Sequence, residues 1–122
     1  MLRYSRIRFS KEASEGLSKM KGRTGLTPNI LCRIGFNMSL NDPNIPNPEH
    51  FPADGDREIE KQVLTGPWEN MFFALLKEWA IKTNIKDDDL LPYFKAHMNR
   101  GVLLLSKRVK SIKDFALLIT NE

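Results

Sequence analysis

The chain has 122 residues, a length that suits one domain with its own hydrophobic core, and it contains no run of about 18 apolar residues that could span a membrane. Its 19 basic and 15 acidic residues give a modest net charge of +4, so a polyanionic partner is indicated by local clusters of basic residues and not by the total charge. The basic N-terminus lacks the apolar stretch of a signal peptide, and the single cysteine, Cys32, leaves no internal disulfide, so we expect a reducing, cytoplasmic setting.

A short strand is predicted at Arg6-Ile7-Arg8-Phe9. Side chains alternate in direction along a strand, so Ile7 and Phe9 should point into a core while Arg6 and Arg8 point outward. Outward arginines on a strand that precedes two helices are typical of several DNA-binding modules. We therefore interpret residues 1–40 as a strand-helix-helix unit of the ribbon-helix-helix kind.

The two helices of this unit have recognisable ends. Ser10 is a favourable N-cap for the first helix, and Gly25 is a natural left-handed residue to end it. Thr27 and Pro28 begin the second helix, because proline is tolerated at the first helical position. Apolar residues at spacings of three and four predict the buried faces. These faces comprise Ala13, Leu17 and Met20 in the first helix, and Leu31, Ile34 and Met38 in the second.

Residues 41–56 form a linker by composition, since four prolines and four acidic residues oppose regular helix. Residues 57–122 are mostly helical in our prediction, after a weakly alternating stretch at 58–65 that we interpret as an edge strand. Gly66-Pro67 then opens a helix whose apolar face includes Trp68, Phe72, Leu75, Leu76 and Trp79.

A second long helix should follow the acidic residues 87–89, since anions are favoured at a helix N-terminus. Its apolar stripe comprises Leu91, Phe94, Met98, Val102, Leu105 and Val109. Leu103 and Leu104 lie off that stripe, so the helix is either central or packed against another subunit, and in so short a chain we favour the subunit. A short helix from Ser111 completes a single domain, residues 1–122, of mainly α class with one or two short strands.

The sequence gives little support for catalysis. His50 and His97 have no aspartate, cysteine or serine at a motif spacing, and the spacings typical of metal ligands are absent. Cys32 adjoins an apolar stripe, where a thiol is more often packed than nucleophilic. Residues 21–25 contain two glycines but do not follow a strand as a phosphate-binding loop would. We therefore expect no enzymatic activity, no metal and no cofactor.

Basic residues are concentrated towards both ends of the chain. Residues 1–40 hold eight basic and two acidic residues, and no acid interrupts residues 90–113. Lysine and arginine on rigid elements can neutralise phosphates with release of counterions, although solvated surface or salt bridges between subunits would also account for them. The candidate DNA-binding residues are Arg6, Arg8, Lys19, Lys21, Arg23, Arg100, Lys107, Arg108 and Lys110.

Four segments, in order along nearly the whole chain, resemble the DndE family, the small subunits of bacterial DNA phosphorothioation systems. The two longest are K-G-R-T-G-L-T-P-N-I-L-C-R-I at residues 21–34 and A-H-M-N-R-G-V-L-L-L at residues 96–105. The other two are L-T-G-P-W-E-N at residues 64–70 and A-L-L-K at residues 74–77. Because these motifs can mark core or subunit contacts equally well, the resemblance does not identify the residues that touch DNA.

The resemblance implies a role in DNA sulfur modification, in which sulfur replaces a non-bridging phosphate oxygen at particular sequences. In such systems a cysteine desulfurase supplies the sulfur, and an iron–sulfur, ATP-using partner activates the chemistry. DndE-like proteins are described as the non-catalytic, DNA-binding members, which form homotetramers, favour nicked double-stranded DNA and join the other subunits in a complex. The resemblance therefore implies a DNA-binding accessory subunit without a cofactor of its own.

Two other interpretations stay open at the level of sequence. A ribbon-helix-helix transcription regulator would pair the strands of two chains and place Arg6 and Arg8 in the major groove. A protein-only assembly subunit would use the apolar helices at 68–82 and 90–109 to bind partners. The sequence Asn99-Arg100-Gly101 could equally well contact DNA or form hydrogen bonds between subunits.

Overall fold

The computed structural model describes residues 2–120, apart from the side chains of Phe115, Ile119 and Thr120. It confirms the predicted class, because helices dominate and two short strands form one antiparallel sheet. The strands are β1 (Arg6–Arg8) and β2 (Glu58–Glu60). The helices are α1 (Lys11–Thr24), α2 (Pro28–Asn41), α3 (Lys61–Leu64), α4 (Glu69–Thr83), α5 (Leu90–Arg108) and α6 (Ile112–Thr120). Within residues 2–120, none of the helices is long and apolar enough to cross a membrane.

Strand β1 finds its partner within the same chain. It pairs with β2 so that Ile7 lies opposite Ile59, and both side chains are buried. Phe9 is also buried while the arginines of β1 are exposed, which confirms the predicted alternation. The edge strand predicted over 58–65 was right only for its first three residues. After Glu60 the chain turns into α3. There the backbone N–H of Thr65 donates to the carbonyl of Lys61, a helical hydrogen bond in place of the strand-to-strand pairing of the sheet.

Helix α1 has the ends that its sequence predicted. The Ser10 hydroxyl accepts a hydrogen bond from the N–H of Ala13, and Gly25 adopts a left-handed conformation with φ of 76°. The predicted inner face, which includes Leu17 and Met20, is fully buried. The side-chain oxygen of Asn99 in α5 accepts the backbone N–H of Ser10 at 2.9 Å, so α5 also holds the start of α1.

Helix α2 begins at Pro28 as predicted, but its buried face is rotated from the predicted stripe. Leu31 is buried, whereas Ile34 and Met38 are only partly covered. The inner face contains Cys32, Gly35, Phe36 and Ser39. The prediction assumed that the large apolar residues face the core, whereas α2 approaches α5 most closely at a glycine. A Cβ placed on Gly35 would lie 2.6 Å from the carbonyl group of Gly101.

Helix α5 is the centre of the fold. It packs against α2 over much of its length, and also against α1, α4 and the 3-10 turn Pro48–His50. Phe36 of α2 contacts the ring of Phe94 in α5 and that of Phe72 in α4, with ring centroids 5.4 Å apart in both cases. The central position explains why α5 is apolar on more than one side. The packing against another subunit that we favoured is therefore not needed to account for that pattern.

The proline-rich segment 41–56 contains one helical element, the 3-10 turn Pro48–His50, and it follows the surface of the N-terminal unit. The N–H of Gly55 donates to the carbonyl of Phe9 at 2.9 Å. The Asp54 carboxylate accepts the backbone N–H of Lys11 at the first turn of α1. Part of the acidic charge of this segment is thus used within the fold.

Candidate nucleic-acid interface

The structure divides the nine predicted DNA-binding residues by their surroundings. Arg6 and Arg8 share one carboxylate, that of Glu58. Arg100 is embedded in the fold. The other six lie on α1 and around the C-terminal end of α5, and among the described residues none of their side chains has a carboxylate within ion-pair distance. These six are Lys19, Lys21, Arg23, Lys107, Arg108 and Lys110.

The two basic clusters of the sequence meet in a single groove between α1 and the C-terminal end of α5. The groove has a volume of about 400 Å³, and we call it the basic groove. Lys19 and Arg23 line it from α1, while Lys107 and Lys110 line it from the other side. Because α1 packs directly on α5, residues more than 80 positions apart in the chain become neighbours. The sequence placed these cations at opposite ends, and only the packing of the helices shows that they share a surface.

The basic groove also has an acidic wall. Glu12 and Glu15 line it from the first half of α1, against four cations from α1, α5 and the residues just after α5. Both carboxylates lie beyond ion-pair distance of those cations, so the cations keep their hydrogen-bonding capacity for a ligand. The excess of positive charge suits a polyanion. The two carboxylates repel it where they line the groove, at the first half of α1.

The other two unpaired residues lie outside this lining. Lys21 is exposed on α1. Arg108 lines a neighbouring groove of about 690 Å³ between α2, α5 and α6, together with Lys107. Lys107 therefore lies on the border of both grooves and extends the cationic surface around the end of α5.

Arg100 has a structural environment. Its Nε donates to the hydroxyl of Ser39 at 2.8 Å, and its Nη atoms donate to the carbonyls of Ser39 and Asn44 at 2.7 and 2.6 Å. Its side chain is 13% exposed. Burial lowers the pKa of the Arg100 guanidinium, which nearby Asp42 partly offsets. Arg100 thus ties the C-terminal end of α2, where helical carbonyls lack partners, to the middle of α5.

His97 lies beside this arginine and makes a contact that sequence spacing did not reveal. Its Nδ1 is 2.7 Å from the Ser39 hydroxyl. That hydroxyl accepts from Arg100 and can donate its own proton to Nδ1, an arrangement that places the proton of the neutral imidazole on Nε2. Among the described residues Nε2 has no hydrogen-bond partner, and the Trp79 ring stands at right angles to the imidazole with centroids 4.2 Å apart. Both Ser39 and His97 are fully buried, so this serine–histidine pair cannot reach a substrate in this conformation.

The stability of the protein should fall as the pH drops below about 6.5, through His97. Burial, and then the charge of Arg100, lower the pKa of His97 from 6.5 to about 3. The unfolded chain therefore binds a proton that the folded chain excludes between these values, so the stabilisation is present above pH 6.5 and is lost as the pH falls. We expect the free energy of unfolding in urea to fall by about 2 kcal/mol from pH 6.5 to pH 5. This dependence should vanish in His97→Gln and persist in His50→Gln, which changes an exposed imidazole. Equal pH slopes in wild type and His97→Gln would show that His97 takes up its proton as readily in the folded chain as in the unfolded chain.

Cys32 should behave as a packing residue. It is fully buried in α2, and burial raises the pKa of its thiol well above the usual range. A thiol-reactive reagent at pH 8 should therefore label the native chain only at the rate of its unfolding, since the thiolate is the reacting species. The chain in concentrated urea should react at once and give one thiol per molecule. Rapid labelling under native conditions would place Cys32 at an accessible surface.

An apolar patch lies on the outside of α2 and the start of α4. Trp68 is 52% exposed and Met71 is 47% exposed, and together with Ile34 and Phe72 they line a shallow cleft of about 330 Å³. Large side chains grouped in this way on a surface are typical of sites that contact other proteins. We call this surface the apolar patch.

The sequence matches the family described as "DNA sulphur modification protein DndE" over residues 6–113. No curated protein is significantly similar to the chain. The fold is similar to the crystal structure of DndE from Escherichia coli B7A, a protein involved in DNA phosphorothioation modification. The two are 26% identical, with 86% of this chain and 99% of that chain covered and a TM-score of 0.70.

A mutant DndE involved in DNA phosphorothioation has the same fold at 24% identity, with 85% of this chain and 99% of that chain covered and a TM-score of 0.66. The match of the family includes all four segments that carried the resemblance in the sequence. It spans most of the folded elements, from β1 to the first residues of α6. The chain therefore belongs to the DndE family, whose members take part in DNA phosphorothioation.

Proposed function

We propose that this chain is a DNA-binding, non-catalytic accessory subunit of a DNA phosphorothioation complex, and that it acts in the cytoplasm as a homotetramer with a preference for nicked double-stranded DNA. The observation that carries the proposal is the basic groove. There the packing of α1 on α5 brings Lys19, Arg23, Lys107 and Lys110 together, and no described carboxylate pairs with them.

The chemistry of the groove fits the backbone of DNA better than its bases. Ammonium and guanidinium groups neutralise phosphates and release counterions, and such contacts position a duplex without reading its sequence. A preference for nicked DNA would follow from the lower cost of bending a broken duplex towards both walls of the groove.

Two buried side chains support a non-catalytic role. Cys32 and His97 are the residues best suited to nucleophilic or acid–base chemistry, and both are fully buried. The His97 imidazole is neutral and engaged with Ser39. A reaction would need these groups at a surface, whereas the groups that do reach the surface in the basic groove are suited to binding.

The apolar patch supports assembly with other copies or with other subunits of the complex. It also favours a second candidate, a protein-only assembly subunit that touches DNA little. The strand pairing does not favour a ribbon-helix-helix regulator. In that fold β1 pairs with the same strand of a second chain, whereas here β1 pairs with β2, and its arginines contact Glu58.

Fluorescence anisotropy with three labelled DNAs of equal length tests the proposal: intact duplex, duplex with one nick, and single strand, each over a series of salt concentrations. We expect the tightest binding to the nicked duplex and a steep dependence on salt. Sedimentation equilibrium of the same preparation should give the mass of a tetramer. Absence of binding to all three DNAs at low salt would favour the protein-only assembly subunit.

A further inference from the structure

The exposed face of the two-stranded sheet carries a second group of charges, separate from the basic groove. Glu58 of β2 contacts two arginines of β1 at once. One of its oxygens accepts from Arg6 at 2.9 Å, and the other forms a short contact with Arg8. Arg8 also donates to the carbonyl of Gly55 at 3.1 Å, which fixes the direction of its guanidinium.

The register of the sheet explains this geometry and supplies an internal comparison. Glu58 lies opposite Arg8 and diagonal to Arg6, whereas Glu60 lies directly opposite Arg6. No hydrogen bond or ion pair joins Glu60 to either arginine within the described part of the chain. Of the two carboxylates of this strand, only Glu58 contacts both guanidinium groups, and it is also the less exposed of the two.

The contact stabilises the fold little. The two arginine side chains are 56% and 46% exposed, and ion pairs at such exposure typically contribute less than about 1 kcal/mol. The buried pair of Ile7 and Ile59 on the opposite face already holds the sheet to the core. An anion from solution could therefore displace Glu58 at small cost.

The ligand that best matches the site is a phosphodiester. Arginines hold a phosphate through two of its oxygens in the same way that they hold a carboxylate, and Glu58 presents one oxygen to each guanidinium. We propose that Arg6 and Arg8 form a binding site for a DNA backbone phosphate and that Glu58 occupies this site in the free protein. Glu58 thereby weakens binding until a phosphate displaces it. This inference rests on the proposed function, because it assumes that the chain binds DNA.

Removal of the blocking charge is the direct test. In Glu58→Gln both guanidinium groups lose their ionic partner, and two exposed pairs no longer have to be broken. We expect the affinity for a labelled duplex in low salt to rise roughly three- to thirty-fold. Glu60→Gln is the matched control, since it removes the same charge from the same strand beside the same arginines. It should raise the affinity much less, by about twofold or below.

A reversal experiment separates the site from the rest of the protein. Adding Arg6→Gln and Arg8→Gln to Glu58→Gln should abolish the gain, whereas adding Lys19→Ala and Lys107→Ala should lower the affinity and leave the effect of Glu58→Gln in place. Circular dichroism and urea unfolding should be unchanged in Glu58→Gln, which confirms that the fold tolerates the substitution.

The outcomes distinguish this inference from the proposed function. If the wild type binds DNA and Glu58→Gln gains no more affinity than Glu60→Gln, Glu58 does not block a phosphate site at Arg6 and Arg8, and the proposed function stands. If the wild type does not bind but Glu58→Gln does, the blocking role of Glu58 is supported, and the native chain is not a DNA-binding subunit on its own. If neither protein binds a duplex at low salt, both proposals fail.

Discussion

Gly101→Ala is expected to destabilise the protein by about 3 kcal/mol or more, although alanine is the better helix former. Gly101 of α5 lies against Gly35 of α2 at the point where the two central helices cross. A Cβ on Gly101 would overlap the carbonyl group of Gly35 and would lie 2.7 Å from the backbone nitrogen of Phe36. Backbone atoms cannot turn away as a flexible side chain can, so α2 and α5 would have to separate along their main contact.

Gly22→Ala provides the matched control, because it makes the same chemical change at an exposed position of α1. Apart from its chain neighbours and the backbone of its own helix, no described atom lies within 4 Å of a Cβ built there, so the substitution should stabilise the protein by a few tenths to about 1 kcal/mol. Urea unfolding followed by circular dichroism measures both variants. A Gly101→Ala variant as stable as wild type would contradict the close crossing of α2 and α5.

Neutralising the basic groove is expected to have the largest effect on DNA binding. Replacing Lys19, Arg23, Lys107 and Lys110 by alanine removes cations from both walls while the buried core stays intact. Each phosphate contact contributes about 0.9 to the slope of log K against log salt, so loss of all four should flatten the slope by about three to four. The affinity should fall by at least a hundredfold at low salt.

A charge-matched control is needed because any loss of positive charge weakens binding to DNA. The double variant Lys19→Ala/Lys107→Ala removes one cation from each wall of the groove, whereas Lys82→Ala/Lys86→Ala removes two exposed lysines at the end of α4 and beyond it. We expect the first pair to flatten the salt slope by about two and the second to leave it nearly unchanged. Equal effects of the two pairs would mean that DNA responds only to net charge and that the basic groove is not the contact.

Local signals gave the helix boundaries, because each acts through neighbours in sequence. Ser10, Gly25 and Pro28 act through the backbone groups of one or two turns, so the ends of α1 and the start of α2 were predicted correctly. The buried face of α2 was not. Which side chains of α2 are buried depends on where α5 crosses it. The two helices cross closely at Gly35, so the face of α2 that contains Gly35 is buried and Ile34 and Met38 stay partly exposed.

The candidate sites depend on pairs of residues that are remote in sequence. The sequence placed the cations in two clusters, but only the packing of α1 on α5 brought Lys19 near Lys107. Only the register of β1 on β2 placed Glu58 opposite Arg8 and within reach of Arg6. Likewise, the contact of Ser39 with His97 has no spacing motif, since it arises where α2 meets α5.

The sequence by itself thus determined the helical class, the ends of the first helices, the excess of basic residues at the two ends of the chain and the resemblance to DndE. The tertiary structure decided which basic residues share a surface, which are neutralised by a carboxylate and which, like Arg100, hold the fold together. The physical reason is the range of the interactions. Caps and turns are satisfied within a few residues, whereas charge pairing and burial are set by contacts that exist only after distant segments have packed.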